Sequence, residues 1–157
     1  MFIRNQKNLC LVFLSISAFA LTNNVYANTS PLDAQMKVFQ VDSQKKKELK
    51  ATDKVKPNAL LEYKVEYSNV SSNSLKNLKL NLPLPEHVTY TGQSFPNDTY
   101  ASLDGKKFSK APLTRIENGK RINVPLREYR ALQWNVVELK SKQKTVVSAQ
   151  VRVNAPE

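Results

Sequence analysis

The sequence predicts an all-β fold, an immunoglobulin-like antiparallel β-sandwich of about seven or eight strands. Short segments alternate apolar and polar residues, turn signals separate these segments roughly every 8–12 residues, and no segment has sustained helical periodicity. A sandwich is favoured over a barrel because one face of the alternating strands is consistently polar.

The first strand is predicted at Met36 to Val41, which mixes apolar and β-branched residues. The charged stretch from Gln44 to Lys50 could be a loop or a short helical turn. Residues 56–58, Lys-Pro-Asn, then form a turn signal.

The clearest alternation follows that turn, where four apolar residues alternate with three charged ones: Leu61, Tyr63, Val65 and Tyr67 with Glu62, Lys64 and Glu66. Successive side chains of a strand point to opposite faces, so the apolar residues share one face. We therefore predict a half-buried strand, with Glu62 and Glu66 facing outward as partners for lysines.

Another strand follows the same rule at Leu78, Leu80 and Leu82. It ends at Pro83 because proline cannot donate a hydrogen bond into a ladder. Residues 88–91 form a further short β-branched and aromatic run.

Two dipeptides, Asp104-Gly105 and Asn118-Gly119, predict tight hairpin turns because Asn, Asp and Gly tolerate the positive φ of a primed turn. Two more strands close the chain, separated by a turn at residues 141–144. Their apolar faces hold Leu132, Trp134 and Val136 in one strand and Val147, Ala149, Val151 and Val153 in the other.

The aromatic residues divide into two groups. We expect Tyr63, Tyr67 and Trp134 in the core, because they lie on apolar strand faces. Four others lie near turns and could either stack on carbohydrate or pack over the ends of the sandwich: Tyr90, Phe95, Tyr100 and Tyr129.

The first 27 residues have the layout of a secretory signal peptide. Arg4 and Lys7 give a positively charged start, residues 9–21 are almost wholly apolar or small, and Val25 and Ala27 fit a signal-peptidase site. The apolar run has about 13 residues, whereas a membrane-spanning helix needs roughly 20. We expect cleavage after Ala27 and a periplasmic or secreted mature protein with no integral membrane span.

Residues 28–157 are expected to form a single β-sandwich domain. The chain has 24 basic and 13 acidic residues and a net charge of +11, which falls to +9 when Arg4 and Lys7 are removed. The single cysteine, Cys10, lies in the leader, so burial rather than a disulfide must hold the mature domain together. The sequence does not define an oligomeric state.

The residues that usually carry catalysis are scarce. His87 is the only histidine and lies in a predicted solvated loop, whereas a zinc site needs several converging ligands. Neither a nucleophile elbow nor a phosphate-binding loop is present, and the acidic residues are few and scattered. We therefore predict a protein that is not an enzyme and has no catalytic residue, cofactor or metal; a hydrolase is the remote alternative.

Two lysine clusters are the candidate contacts for an anionic partner: Lys45, Lys46 and Lys47 in one, and Lys106, Lys107 and Lys110 in the other. A positive charge favours lipopolysaccharide, acidic polysaccharide or nucleic acid. The alternative is that these lysines only keep the domain soluble and its sheet edges unpaired.

Several blocks of the chain resemble the bacterial conserved-repeat family called domain of unknown function eleven. They include Lys56-Pro57, the Leu61–Asn69 strand, Leu82-Pro83, the Ala101–Phe108 segment, Pro112-Leu113 and the Tyr129–Trp134 segment. The resemblance runs from about residue 36 to 153 and implies an immunoglobulin-like sandwich of exported and cell-surface proteins, without catalytic residues. Asn58 stands where the family commonly has glycine, and the domain occurs once rather than in tandem.

The first functional hypothesis is therefore an exported, non-enzymatic envelope module with a structural or interaction role. Its partner would be an envelope protein or an anionic glycan. The second hypothesis is a polyanion-binding protein that uses the two lysine clusters.

The leader pattern predicts a mature N-terminus at Asn28. Intact-mass analysis or N-terminal sequencing of the exported product should find a chain that lacks residues 1–27. A cell-associated product that retains Met1 would contradict this assignment.

Overall fold

The structure is a computed structural model that describes residues 30–43 and 45–155. The predicted signal peptide and its cleavage site lie outside the described residues. None of the described residues forms a helix long and apolar enough to cross a membrane.

The described chain is built of β-strands and one short 3₁₀-helix at Leu126–Glu128. The strands are β1 (Leu32–Asp42), β2 (Lys45–Glu48), β3 (Leu60–Asn69), β4 (Leu75–Pro83), β5 (Val88–Phe95), β6 (Tyr100–Ser102), β7 (Ser109–Lys110), β8 (Thr114–Glu117), β9 (Lys120–Asn123), β10 (Ala131–Leu139) and β11 (Lys144–Val153).

These strands form two main antiparallel sheets and a separate hairpin. One sheet has five strands in the order β2-β1-β3-β11-β5, and the other has four in the order β4-β10-β6-β7. Strands β8 and β9 pair only with each other among the described strands. The chain passes between the two sheets from β3 to β4, from β4 to β5, from β5 to β6 and from β10 to β11.

A single apolar core lies between the two sheets, which confirms the predicted all-β sandwich. The five-stranded sheet contributes Leu61, Val65 and Val151, while the four-stranded sheet contributes Leu82 and Leu132, and each is at most 5% exposed. These are the residues that the period-two alternation assigns to the inner faces. The hydroxyl of Tyr67 also crosses between the sheets and donates to the Asn81 carbonyl at 2.8 Å.

Trp134 occupies this core on β10 and is 2% exposed, as predicted. Its indole Nε1 donates to the Pro96 carbonyl at 2.7 Å, so burial leaves no unpaired polar atom on the ring.

Tyr129 is also buried, and its ring stacks on that of Tyr90 with centroids 5.9 Å apart. Its hydroxyl accepts the Leu113 backbone N–H at 2.8 Å. Tyr90 and Tyr129 therefore pack inside the domain and do not form an exposed surface for stacking on carbohydrate.

Asn69 is the buried polar residue that joins two turns. Its amide Nδ2 donates to the carbonyls of Asn73, Leu139 and Lys140 at 2.8–3.1 Å. Its Oδ1 accepts both the backbone N–H and the hydroxyl of Ser71. The turn after β3 is thereby fixed against the turn that leaves β10.

The two predicted hairpin turns have different outcomes. Asn118 and Gly119 have φ of 51° and 74° and connect β8 to β9 through a tight primed turn, as predicted. The prediction was wrong about Asp104-Gly105, which belongs to a longer connection between β6 and β7. Gly105 has a φ of 72°, but the two residues do not form a two-residue turn. Instead, the Asp104 carboxylate accepts hydrogen bonds from the backbone N–H groups of Lys106 and Lys107.

The prediction was also wrong about the stretch from Gln44 to Lys50. Lys45–Glu48 is strand β2, which pairs with residues 39–42 of β1. Ser43 adopts a φ of 45° in the turn between them. Backbone hydrogen bonds to the edge of β1 stabilise β2, and this stabilisation outweighs the weak β-propensity of lysine.

Replacing Trp134 with alanine should lower the free energy of unfolding by about 3–5 kcal/mol, because it removes a fully buried aromatic side chain. The matched control is Val137→Ala on the same strand, since Val137 is 80% exposed and should change stability by no more than about 0.5 kcal/mol. Denaturant unfolding followed by circular dichroism compares the two. Equal effects would contradict the assignment of Trp134 to the core.

Candidate functional site

The first predicted lysine cluster lies on β2, at one edge of the five-stranded sheet. Alternation along this strand separates its members, and two of them form ion pairs. Lys46 pairs with Glu62, and the Nζ of Lys47 lies 3.6 Å from Asp53 Oδ2.

The glutamates of β3 are lysine partners, as the sequence predicts. Glu62 is largely buried and pairs with Lys46. Glu66 accepts a hydrogen bond from Lys144 Nζ at 2.6 Å, which lowers the pKa of this carboxyl group. Glu62 and Glu66 therefore neutralise the positive charges of Lys46 and Lys144 on the five-stranded sheet.

The second predicted cluster lies on the four-stranded sheet, so the structure does not unite the two clusters in one sheet. Lys106 and Lys107 belong to the connection between β6 and β7, and Lys110 lies on β7. Lys110 pairs with Asp98, and its Nζ lies 5.4 Å from the centroid of the Tyr100 ring.

Asp104 fixes the conformation of the β6–β7 connection. Its Oδ1 accepts the backbone N–H groups of Lys106 and Lys107, both at 2.8 Å, and the hydroxyl of Ser102 at 2.9 Å. These donors lower the pKa of Asp104 to about 2. These bonds close the loop and position Lys106 beside Tyr100 and Gln133 on the outer face of the four-stranded sheet.

Polar side chains line the outer face of the four-stranded sheet beside this loop. Gln133 of β10 pairs in register with Asn81 of β4, and Asn135 pairs with Lys79. Gln133 also lies opposite Tyr100 of β6. We call this surface the amide face, and it comprises Lys79, Asn81, Tyr100, Lys106, Phe108, Gln133 and Asn135.

The amide face forms a shallow depression of about 470 Å³. Gln133 is buried at its floor and donates from Nε2 to Asn81 Oδ1 at 2.8 Å. Asn81 and Asn135 are exposed, and the rings of Tyr100 and Phe108 are half-buried. An amide pair held by a hydrogen bond therefore lies beside two aromatic rings, together with the exposed amide of Asn135.

Lys79 and Lys106 distinguish this depression electrostatically. No carboxylate of the described residues lies within 4.0 Å of either Nζ, and no acidic side chain lines the depression. Both lysines are exposed. Their charges are available to an anionic ligand.

A second depression, of about 460 Å³, lies on the other side of the β6–β7 connection and is lined by Lys107, Lys110 and Arg115. Its cations are largely neutralised, because Arg115 contacts both Glu117 and Glu128 at 2.5 Å and Lys110 pairs with Asp98. The two carboxylates raise the pKa of the Arg115 guanidinium. This depression is therefore a weaker anion site than the amide face.

The amide face combines three kinds of contact. Side-chain amides donate and accept hydrogen bonds, as sugar hydroxyls also do. Aromatic rings provide apolar surface, and free ammonium groups attract anionic substituents. The chemistry suits a hydroxyl-rich chain that carries negative charge.

His87 is exposed in the turn before β5. Among residues 30–43 and 45–155, no group of three or more His, Cys, Asp or Glu side chains is arranged to hold a metal ion.

A scan against protein-family models, a search of curated proteins and a search of solved structures each found no match. The candidate site therefore depends on the geometry of this chain. Sequence reasoning included Lys106 but missed Lys79, Asn81, Gln133 and Asn135. The signal that points to these residues is the set of polar side chains that alternate with apolar ones along β4 and β10. The pairing of the two strands brings those polar side chains together.

Asp104 should give the β6–β7 connection an acid-sensitive conformation. Its pKa is lowered on folding, so its stabilising contribution is present above the ordinary pKa of 3.8 and is lost as the pH falls towards 2. Amide hydrogen exchange at Lys106 and Lys107 should therefore accelerate below about pH 4 relative to exchange within β10. In Asp104→Ala the same amides should exchange rapidly at neutral pH. Unchanged protection in that variant would contradict this role.

Proposed function

We propose that this protein is an exported, non-enzymatic interaction module of the cell envelope, and that its amide face binds an acidic glycan. The observation that carries this proposal is the position of Lys79 and Lys106. Both are free of carboxylate partners among the described residues, and they flank a row of amides and two aromatic rings.

Hydrogen-bonding capacity favours a glycan over a nucleic acid. Each sugar hydroxyl is both donor and acceptor, and the exposed amides of Asn81 and Asn135 can meet both needs. The buried Gln133 holds Asn81 in position through its Nε2. A phosphodiester backbone presents mainly acceptors, for which a face richer in cations would be expected. Uronate or sulfate groups on the glycan would contact the two lysines.

The leader-like N-terminus supports a periplasmic or secreted location. We also propose that the sandwich is immunoglobulin-like and is related to the conserved-repeat family that its sequence resembles. Under this proposal Lys46 and Lys47 mainly stabilise the edge of the five-stranded sheet, because both already have carboxylate partners.

The test is binding of an acidic polysaccharide, with polygalacturonate and heparin as probes and dextran as the neutral reference. The double variant Lys79→Gln/Lys106→Gln should bind at least about tenfold more weakly at low salt and lose part of the salt dependence. The matched control, Lys45→Gln/Lys47→Gln, removes the same charge from β2 and should bind like the parent protein.

A second variant separates stacking from charge. Phe108→Ala should weaken binding without changing its salt dependence, because it removes apolar contact only. Isothermal titration at two salt concentrations measures both effects. The proposal fails if no acidic polysaccharide binds, if both lysine pairs have equal effects, or if an oligonucleotide is strongly preferred.

A further inference from the structure

The amide face continues along β4 and β10 into a second, smaller depression of about 250 Å³. Lys79 and Asn135 line both depressions, so the two share a border on the outer face of the four-stranded sheet. The second depression adds Asn77 of β4 and Val137 of β10. From Gln133 to Val137 the strand rises by about 13 Å, so the combined surface is elongated along the strands.

The second depression has a polar side and an apolar side. Leu78 and Val136 pair across the two strands and pack against the core, so their backbone forms the floor. Val137 is 80% exposed and supplies the apolar wall. Asn77 and Asn135 are also exposed, and among the described residues neither side-chain amide makes a hydrogen bond. Both amides are therefore available to a ligand.

Charge differs between the two ends of this surface. At the amide-face end, Lys79 and Lys106 have no carboxylate partner among the described residues. At the other end Glu138 is exposed directly after Val137, opposite Lys76 in the pairing of β10 with β4. Because these two charges offset each other, a second anionic group gains little there. The surface therefore suits a ligand with an anionic group at one end and an uncharged group at the other.

The second depression selects among uncharged groups by its mixed lining. A lipid chain or an apolar peptide is a poor match, because Val137 is the only exposed aliphatic side chain among the described residues that line it. An acetamido group has one methyl group, one N–H donor and one carbonyl acceptor. The methyl group matches Val137, and an asparagine amide offers both a donor and an acceptor to the rest.

We propose that the second depression binds the acetamido group of an N-acetylated sugar, so that the combined surface selects a glycan in which acidic sugars alternate with N-acetylhexosamines. The methyl group packs on Val137, and the amide group exchanges hydrogen bonds with Asn77 and Asn135. The neighbouring acidic sugar lies over the amide face, where Lys79 and Lys106 attract its carboxylate. This inference rests on the proposed function and narrows its ligand class.

Three ligands test the subsite. Hyaluronan hexasaccharide alternates glucuronate with N-acetylglucosamine, and an oligogalacturonate of the same length is the reference without acetamido groups. The third ligand is the hyaluronan hexasaccharide with N-formyl in place of N-acetyl, which removes only the methyl groups. The parent protein should bind the N-acetyl form about fourfold more tightly than the N-formyl form, because one methyl group leaves water on binding. Isothermal titration measures all three affinities.

Variants assign the effect to particular side chains. Val137→Ser removes the apolar wall, so the two hyaluronan forms should bind it equally, while its affinity for oligogalacturonate stays unchanged. Asn77→Gly removes one amide at a position where φ is 53° and glycine causes no strain. It should weaken both hyaluronan forms and leave oligogalacturonate unchanged. The matched control is Ile116→Ser on β8, which also removes an exposed aliphatic side chain and should change none of the affinities.

Saturation-transfer NMR observes the same contact directly. Saturation of the protein methyl resonances should reach the acetyl methyl protons of bound hyaluronan in the parent protein. The transfer should fall in Val137→Ser and persist in Ile116→Ser.

The outcomes separate this inference from the proposed function. The subsite is overturned, and the proposed function stands, if oligogalacturonate binds but the parent protein does not distinguish N-acetyl from N-formyl, or if Val137→Ser keeps the difference. Equal weakening of hyaluronan and oligogalacturonate by Val137→Ser would also overturn the subsite, because the residue would then act on the whole surface. If neither acidic glycan binds the parent protein, both proposals are overturned.

Discussion

The pairing of β10 with β4 is the constraint on which the core and the candidate site both depend. Trp134 and Leu132 point inward from β10, so Gln133 and Asn135 must point outward. A slip of one residue in this pairing would bury the amides and expose the indole of Trp134, so the free energy of burying the apolar side chains opposes it. The apolar face therefore fixes the position of the polar one.

No disulfide is available to the mature chain predicted from the sequence, and side-chain hydrogen bonds from buried or loop residues hold the connections instead. Asn69 ties two turns together, Tyr129 holds the backbone at Leu113, and Asp104 closes the β6–β7 connection. Each satisfies polar backbone groups that burial or a turn would otherwise leave unpaired. These hydrogen bonds fix the conformations of the connections, and the bonds to Asp104 position Lys106.

The alternation in the sequence predicted the strands and the core well, because inward residues such as Val65 and Trp134 carry a period-two signal. Strand β2 was missed because lysine disfavours strands and only the adjacent edge of β1 induces it. Most of the amide face was missed for a related reason. Lys79 and Gln133 are separated by more than fifty positions in the chain, and sequence periodicity reveals the face of each strand but not its neighbour.

Net charge alone is a poor guide to the binding surface of this protein. Lys46, Lys47 and Lys110 were selected for their density in the sequence, yet each is compensated by a carboxylate. An exposed ion pair adds little stability, but it does reduce the charge that a ligand encounters. The lysines that matter for recognition are therefore those left uncompensated beside groups that can hydrogen-bond and stack. By this criterion Lys79, isolated in the sequence, is a better candidate than any member of the Lys45–Lys47 run.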